Sequence, residues 1–139
     1  MQARQAISDI GHQARGANGR VRPGAILAGV LAGFLFAAVA TGILAVVYVR
    51  TSLPESPLSW MVSSVNLLSV AIAGLVSGRR ARTTGWLNGG LAGFCFTFLA
   101  ILLSYVLFPQ AIPILAAAAR LGIGLGLGLL GGTVGVNLA

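Results

Sequence analysis

Four apolar runs, each long enough to cross a bilayer, limit what this chain can fold into. They lie at about residues 24–49, 58–78, 86–108 and 114–138. A helix needs about 20 apolar residues to span the hydrocarbon core. None of the runs alternates like a barrel strand, so helices are the way to hydrogen-bond the backbone in lipid. Composition agrees: 57% of the 139 residues are apolar, 8% are charged, and mean hydropathy is +0.94. A soluble domain carries about a quarter charged residues; this chain could not cover a water-facing surface. The fold class is all-α integral membrane, with four transmembrane helices. A soluble enzyme, a disordered chain and a fibrous repeat are excluded.

The connections are TSLPESP (51–57), RRARTTG (79–85) and PQAIP (109–113). Loops this short set neighbouring helices side by side in opposite directions, which gives two antiparallel hairpins. Residues 1–23 form a polar tail, too polar for the apolar core of a signal peptide, and the first run reads as a retained span. Ala3, Ala6, Ile7, Ile10 and Ala14 recur there at helical spacing, but Gly11, Gly16 and Gly19 weaken any helix. The tail is thus either disordered or a short amphipathic helix.

All nine basic residues are arginines, against Asp9 and Glu55 as the only acids, for a net charge of +7. Arg4, Arg15, Arg20 and Arg22 lie in the tail, and Arg79, Arg80 and Arg82 in the middle loop. The other side offers Arg50, balanced by Glu55, and Arg120. Positive charge stays in the cytoplasm, so the expectation is that both termini are cytoplasmic. The partners expected for the arginines are the bilayer and its anionic lipid head groups, not nucleic acid. Tyr48, Trp60, Trp86 and Tyr105 fall near span ends, where interfacial aromatics belong.

LAGFLF (31–36) and LAGFCF (91–96) suggest an internal repeat at an offset of 60 residues. Ala25, Gly29, Gly33, Ala37 and Ala40 correspond to Gly85, Gly89, Gly93, Thr97 and Ala100. The prolines of the first outer loop, Pro54 and Pro57, are echoed by Pro109 and Pro113. A parallel repeat of this kind relates two hairpins by an axis along the membrane normal. Small residues also predict the packing, because close backbone approach joins helices in lipid. The glycine-zipper positions are Gly29, Gly33, Gly74, Gly78, Gly85, Gly89, Gly93, Gly124, Gly128, Gly131 and Gly135. In the first three spans they cluster toward one end. That end should pack tightly while the opposite, Leu-rich halves splay into a crevice.

Ser63, Asn66, Thr97 and Ser104 read either as interhelical hydrogen-bonding groups or as the lining of a polar path. Arg120 sits six residues into the fourth run. It reads as an interfacial anchor, as the end of a surface segment before a span beginning at Leu121, as an ion-pair partner of Glu55, or as an anion ligand. No acid pair, nucleophile with a base, phosphate-binding loop or metal cluster is present. No catalytic residue, cofactor or metal is therefore expected, and the chain reads as a non-enzyme. Cys95 reads as a small buried hydrophobe.

The segment SGRRARTTGWLNGGLAGFCF (77–96), the terminal GGTVGVNLA (131–139) and LPES before Trp60 resemble the YrzE-type family of small bacterial membrane proteins. The resemblance covers residues 24–139 and implies four helices in a bacterial plasma membrane. It implies no catalytic residues. The expected role is a helix-packing accessory or scaffold subunit, bound to a membrane-protein partner or to itself as a homo-oligomer. The alternative is a small homo-oligomeric channel or transporter.

The topology has a direct test in a Cys95→Ala background. Ala6→Cys and Leu138→Cys should resist an impermeant thiol reagent in intact cells, while Ser56→Cys should react. Labelling of either terminus from outside would reject the arrangement.

Overall fold

A computed structural model describes residues 21–51, 57–82, 84–107 and 113–139. The polar tail through residue 20, with its disordered and amphipathic alternatives, lies outside the described residues. So do Pro54, Glu55, Pro109 and Gln110. The described residues form four helices: α1 (Pro23–Thr51), α2 (Leu58–Ala81), α3 (Gly85–Leu107) and α4 (Ile114–Asn137). All four are long and apolar enough to cross a membrane.

Local chemistry explains the ends. Pro23 opens α1, where its fixed φ suits a helix and its missing N–H costs nothing. Pro57 and Pro113 immediately precede α2 and α4. Arg50 lies in the last turn of α1, and Arg79 and Arg80 in the last turn of α2, where positive charge complements the helix dipole. The middle loop is accordingly shorter than the sequence suggests. Helix α2 runs on through Ala81, because long arginine side chains can reach outward while their backbone stays helical. It ends at Arg82, whose φ of 61° is rare for a residue with a side chain. Gly85 belongs to α3 rather than to the loop. Arg120 lies within α4, so residues 114–120 are continuous with the rest of the fourth helix; Pro113 is the break before it, and Ala116–Ala119 are strong helix formers.

Glycine governs the packing. Helix α4 lies against both α2 and α3, α2 also lies against α1 and α3, and α1 and α4 do not meet among the described residues. A Cβ at Gly74 would lie 2.6 Å from the Gly128 carbonyl oxygen and 2.9 Å from its Cα. One at Gly128 would lie 2.5 Å from the Gly89 oxygen and 2.9 Å from the Gly93 Cα. These backbones touch, and no larger residue fits without moving a helix. Between α3 and α4 the partners run in opposite order: Gly85 and Gly89 meet Gly132, and Gly93 meets Gly124 and Gly128. Between α2 and α4 they run in the same order: Gly74 meets Gly128 and Gly78 meets Gly132. Helix α1 uses Gly29 against Ala73 and Ser77, and Gly33 against Ala73, Ser69 and Phe96.

The two seams resemble each other in part. Gly29 and Gly33 face Ser69, Ala73 and Ser77, and Gly89 and Gly93 face Gly124, Gly128 and Gly132. The first helices match at an offset of 60 residues, but their partners match at 55, as from Ala73 to Gly128. The aromatics do not follow. Phe96 is buried with its ring centroid 4.6 Å from that of Phe34, while Phe36 and Phe94, their counterparts at offset 60, are exposed.

Burial falls almost wholly in one half. In α1 nothing beyond Gly33 is buried, and in α2 nothing before Ser69. In α3 burial stops at Thr97, and in α4 it starts at Gly124. The core of Val30, Val70, Ala73, Ala92 and Phe96 lies in this half, with Cys95 partly buried against it. This half ends in Arg22, Arg79, Arg80 and Arg82 and forms the arginine end of the bundle.

Gly89→Leu and Gly128→Leu should each destabilise the protein by more than the roughly 1–3 kcal/mol of ordinary overpacking, since the obstruction is backbone. A Cβ added at Gly122 or Gly126 would meet nothing within 4 Å, so Gly126→Leu should be silent. Thermal unfolding in mild detergent measures both; equal effects at Gly128 and Gly126 would contradict this packing.

Candidate functional site

The polar residues of the spans divide into two groups. One is used up at the arginine end. Asn88 is fully buried. Its side-chain oxygen accepts the Arg22 backbone N–H at 2.8 Å, at the start of α1. Its amide nitrogen donates to the Thr84 carbonyl and hydroxyl at 2.9 and 3.0 Å. Its backbone carbonyl accepts the buried Ser77 hydroxyl at 3.0 Å. One asparagine thus ties α1, α2 and α3 together and satisfies a helix terminus that lacks its own partners. Among the described residues no buried side-chain nitrogen or oxygen is left without a partner.

The second group lies in the opposite half, where the helices part. A crevice of about 280 Å³ opens between α2, α3 and α4, lined by Asn66, Leu67, Val70, Thr97, Ala100, Ile101, Ser104, Arg120, Ile123 and Gly124. A second crevice, about 450 Å³, is lined by Ala37, Thr41, Val62, Ser63, Val65, Asn66, Leu67 and Arg120. Asn66, Leu67 and Arg120 border both, so Arg120 stands where the two meet. Thr97 and Gly124, which touch each other, form the floor where the glycine seam ends.

All four residues read from the sequence as a polar lining border these crevices. Ser63 and Thr97 spend their protons on their own helices: Ser63 donates to the Ser59 carbonyl at 2.8 Å and Thr97 to the Gly93 carbonyl at 2.9 Å. Asn66, Ser104 and Arg120 have no hydrogen-bond or ion-pair partner among the described residues. The pairing of Arg120 with Glu55 lies outside the described residues. No metal-binding cluster occurs among the described residues.

The eleven glycines read as packing positions all lie with a neighbouring helix against the space a Cβ would need. Sequence reasoning missed two more. Gly132 touches Gly78, Gly85 and Gly89, and Gly90 faces the Leu129 side chain. Gly132 follows Gly124 and Gly128 in steps of four, a signal that was present. The reach of Arg120 into two crevices had no signal, because it depends on how far the helices splay.

The family model described as a protein of unknown function, DUF3792, matches residues 23–135. The chain belongs to this family. It is also 31% identical over 113 residues to the "Uncharacterized membrane protein YrzE" of Bacillus subtilis (strain 168), covering 81% of this chain and 75% of the relative. No solved structure matches. This family member is therefore a membrane protein with four spans, and its glycine seam falls within the matched segment.

The division between the halves predicts a contrast in reactivity. In a Cys95→Ala background, Asn66→Cys and Ser104→Cys should react with a small neutral thiol reagent at least about tenfold faster than Ser77→Cys, which lies in the packed half and opens only by local unfolding. Equal rates would mean that no crevice exists.

Proposed function

We propose that this DUF3792 protein is a non-enzymatic subunit of the bacterial plasma membrane, acting by helix contact as an accessory or scaffold. Both termini are assigned to the cytoplasm, on the side of the clustered arginines. The observation that carries the role is the unequal use of α1. This helix has 29 residues, about 43 Å at 1.5 Å per residue, yet none beyond Gly33 is buried. Leu35, Val39, Ile43 and Val46 are exposed, and Gly42 has open space beside it. A shallow apolar surface runs along Ala38, Val39, Gly42, Ile43, Val46 and Val47. In lipid an apolar face needs no cover, but small residues at Ala38, Gly42 and Ala45 allow a second helix to approach closely. The glycine seam makes the rest of the bundle a firm base for that surface.

A second reading, a homo-oligomeric channel or transporter, draws support from the exposure of Ser63 and Asn66 on the crevices. A path through one chain would have to open the core of Val30, Val70, Ala73, Ala92 and Phe96. Helix contact needs no such opening, and it is the reading preferred.

Photo-crosslinking from Ala38, Gly42 and Ala45 in living cells tests the accessory role. The expected result is a discrete adduct, either at twice the protein's own mass, for a homo-oligomer, or with one other membrane protein. A control at Gly126 should give none. Only diffuse lipid adducts at all three positions would refute the role.

A further inference from the structure

Arg120 is the charge whose surroundings are least explained. Arg50 lies in the last turn of α1, at the end of its span. Arg120 instead starts six residues into α4, about 9 Å below its first residue. It borders two crevices and has no ion-pair or hydrogen-bond partner among the described residues. A guanidinium at that depth is costly without an anion or an interface within reach.

We infer that the crevice between α2, α3 and α4 binds an anionic phospholipid, with Arg120 holding the phosphodiester and the crevice wall seating part of an acyl chain. The planar guanidinium suits phosphate because it can donate two parallel hydrogen bonds. Its stem is long enough to carry the charge toward the interface, where lipid phosphates lie. Asn66 and Ser104 stand beside it as neutral polar groups with no other partner among the described residues, free to serve the remaining phosphate or glycerol oxygens. Below them the wall turns apolar, with Leu67, Ile101 and Ile123, and ends at Thr97 and Gly124. The site is therefore cationic at its mouth, apolar along its wall and closed at its floor. A phospholipid has that same order of chemistry from phosphate to chain. A free anion would use the guanidinium but leave the apolar wall unoccupied. The inference needs only the four-helix arrangement and stands whether or not the accessory role holds.

The test uses the full chain purified in mild detergent and exchanged into vesicles of phosphatidylcholine, or of phosphatidylcholine mixed equally with phosphatidylglycerol. Native mass spectrometry reads the lipid retained after re-extraction, and thermal unfolding reads stabilisation. Wild type should retain phosphatidylglycerol in preference to phosphatidylcholine. Arg120→Gln should weaken that retention roughly tenfold or more, the loss of a charge-assisted pair of hydrogen bonds. Ala100→Phe keeps the charge but fills the wall, and should weaken retention as well; both changes lie outside the packed core. Glu55→Gln should leave retention intact. Equal retention by wild type and Arg120→Gln would overturn the inference and leave Arg120 an interfacial anchor. Retention that appears only in Glu55→Gln would overturn it too, making Glu55 the resident counter-ion. Stabilisation by inorganic phosphate alone, as strong as by phosphatidylglycerol, would show a free anion to be the ligand instead.

Discussion

Backbone contact between glycines is the interaction on which the rest of the structure depends. Lipid surrounds these helices with hydrocarbon as apolar as their own side chains, so burial gives little reason to associate. What remains is dispersion at short range, weak Cα–H···O contacts and the few hydrogen bonds available. All three grow as the axes approach. Gly74 against Gly128 and Gly89 against Gly132 bring main chains together with no side chain between them. Helix α4 carries much of this, because its glycines serve two neighbours. Gly124 meets α3, Gly131 and Gly135 meet α2, and Gly128 and Gly132 meet both. A sequence that would make a poor helix in water is suited here to fill a narrow groove between two others.

The hydrogen bonds follow the same geography. Asn88 joins α1, α2 and α3 in the half where glycine has already drawn the axes together. Toward the other end the helices part, and Ser63, Asn66, Ser104 and Arg120 border the crevices between them. Packing and polarity are thus not independent features. Where helices touch, Asn88 and Ser77 bond across them; where they part, Ser63 bonds its own helix and Asn66, Ser104 and Arg120 have no partner among the described residues.

Much of this was legible in the sequence, for physical reasons that can be named. Spans follow from the length of apolar runs, since lipid thickness is fixed. The glycine positions follow from spacing, since steps of three and four stay on one helix face. The tight and splayed halves follow from where those glycines cluster. The assignment of glycines to neighbours did not follow. Among the zipper positions of the fourth run, Gly124 lies against α3, Gly131 and Gly135 lie against α2, Gly128 lies against both, and Gly132 joins them. A periodic pattern gives an angle on one helix, not the position of the next. The end of α2 departs from expectation for a related reason: charge marks the polar boundary, but Arg79 and Arg80 cross it while still helical. The resemblance of LAGFLF to LAGFCF was real for the glycines and misleading for the phenylalanines, whose burial depends on a third helix.

The contrast between a sealed half and a splayed half has one more consequence. The axes are in backbone contact in one half and have crevices between them in the other. Stiffness is therefore unevenly distributed: thermal motion that separates the helices begins at the parted ends, and the glycine seam is the last part to yield.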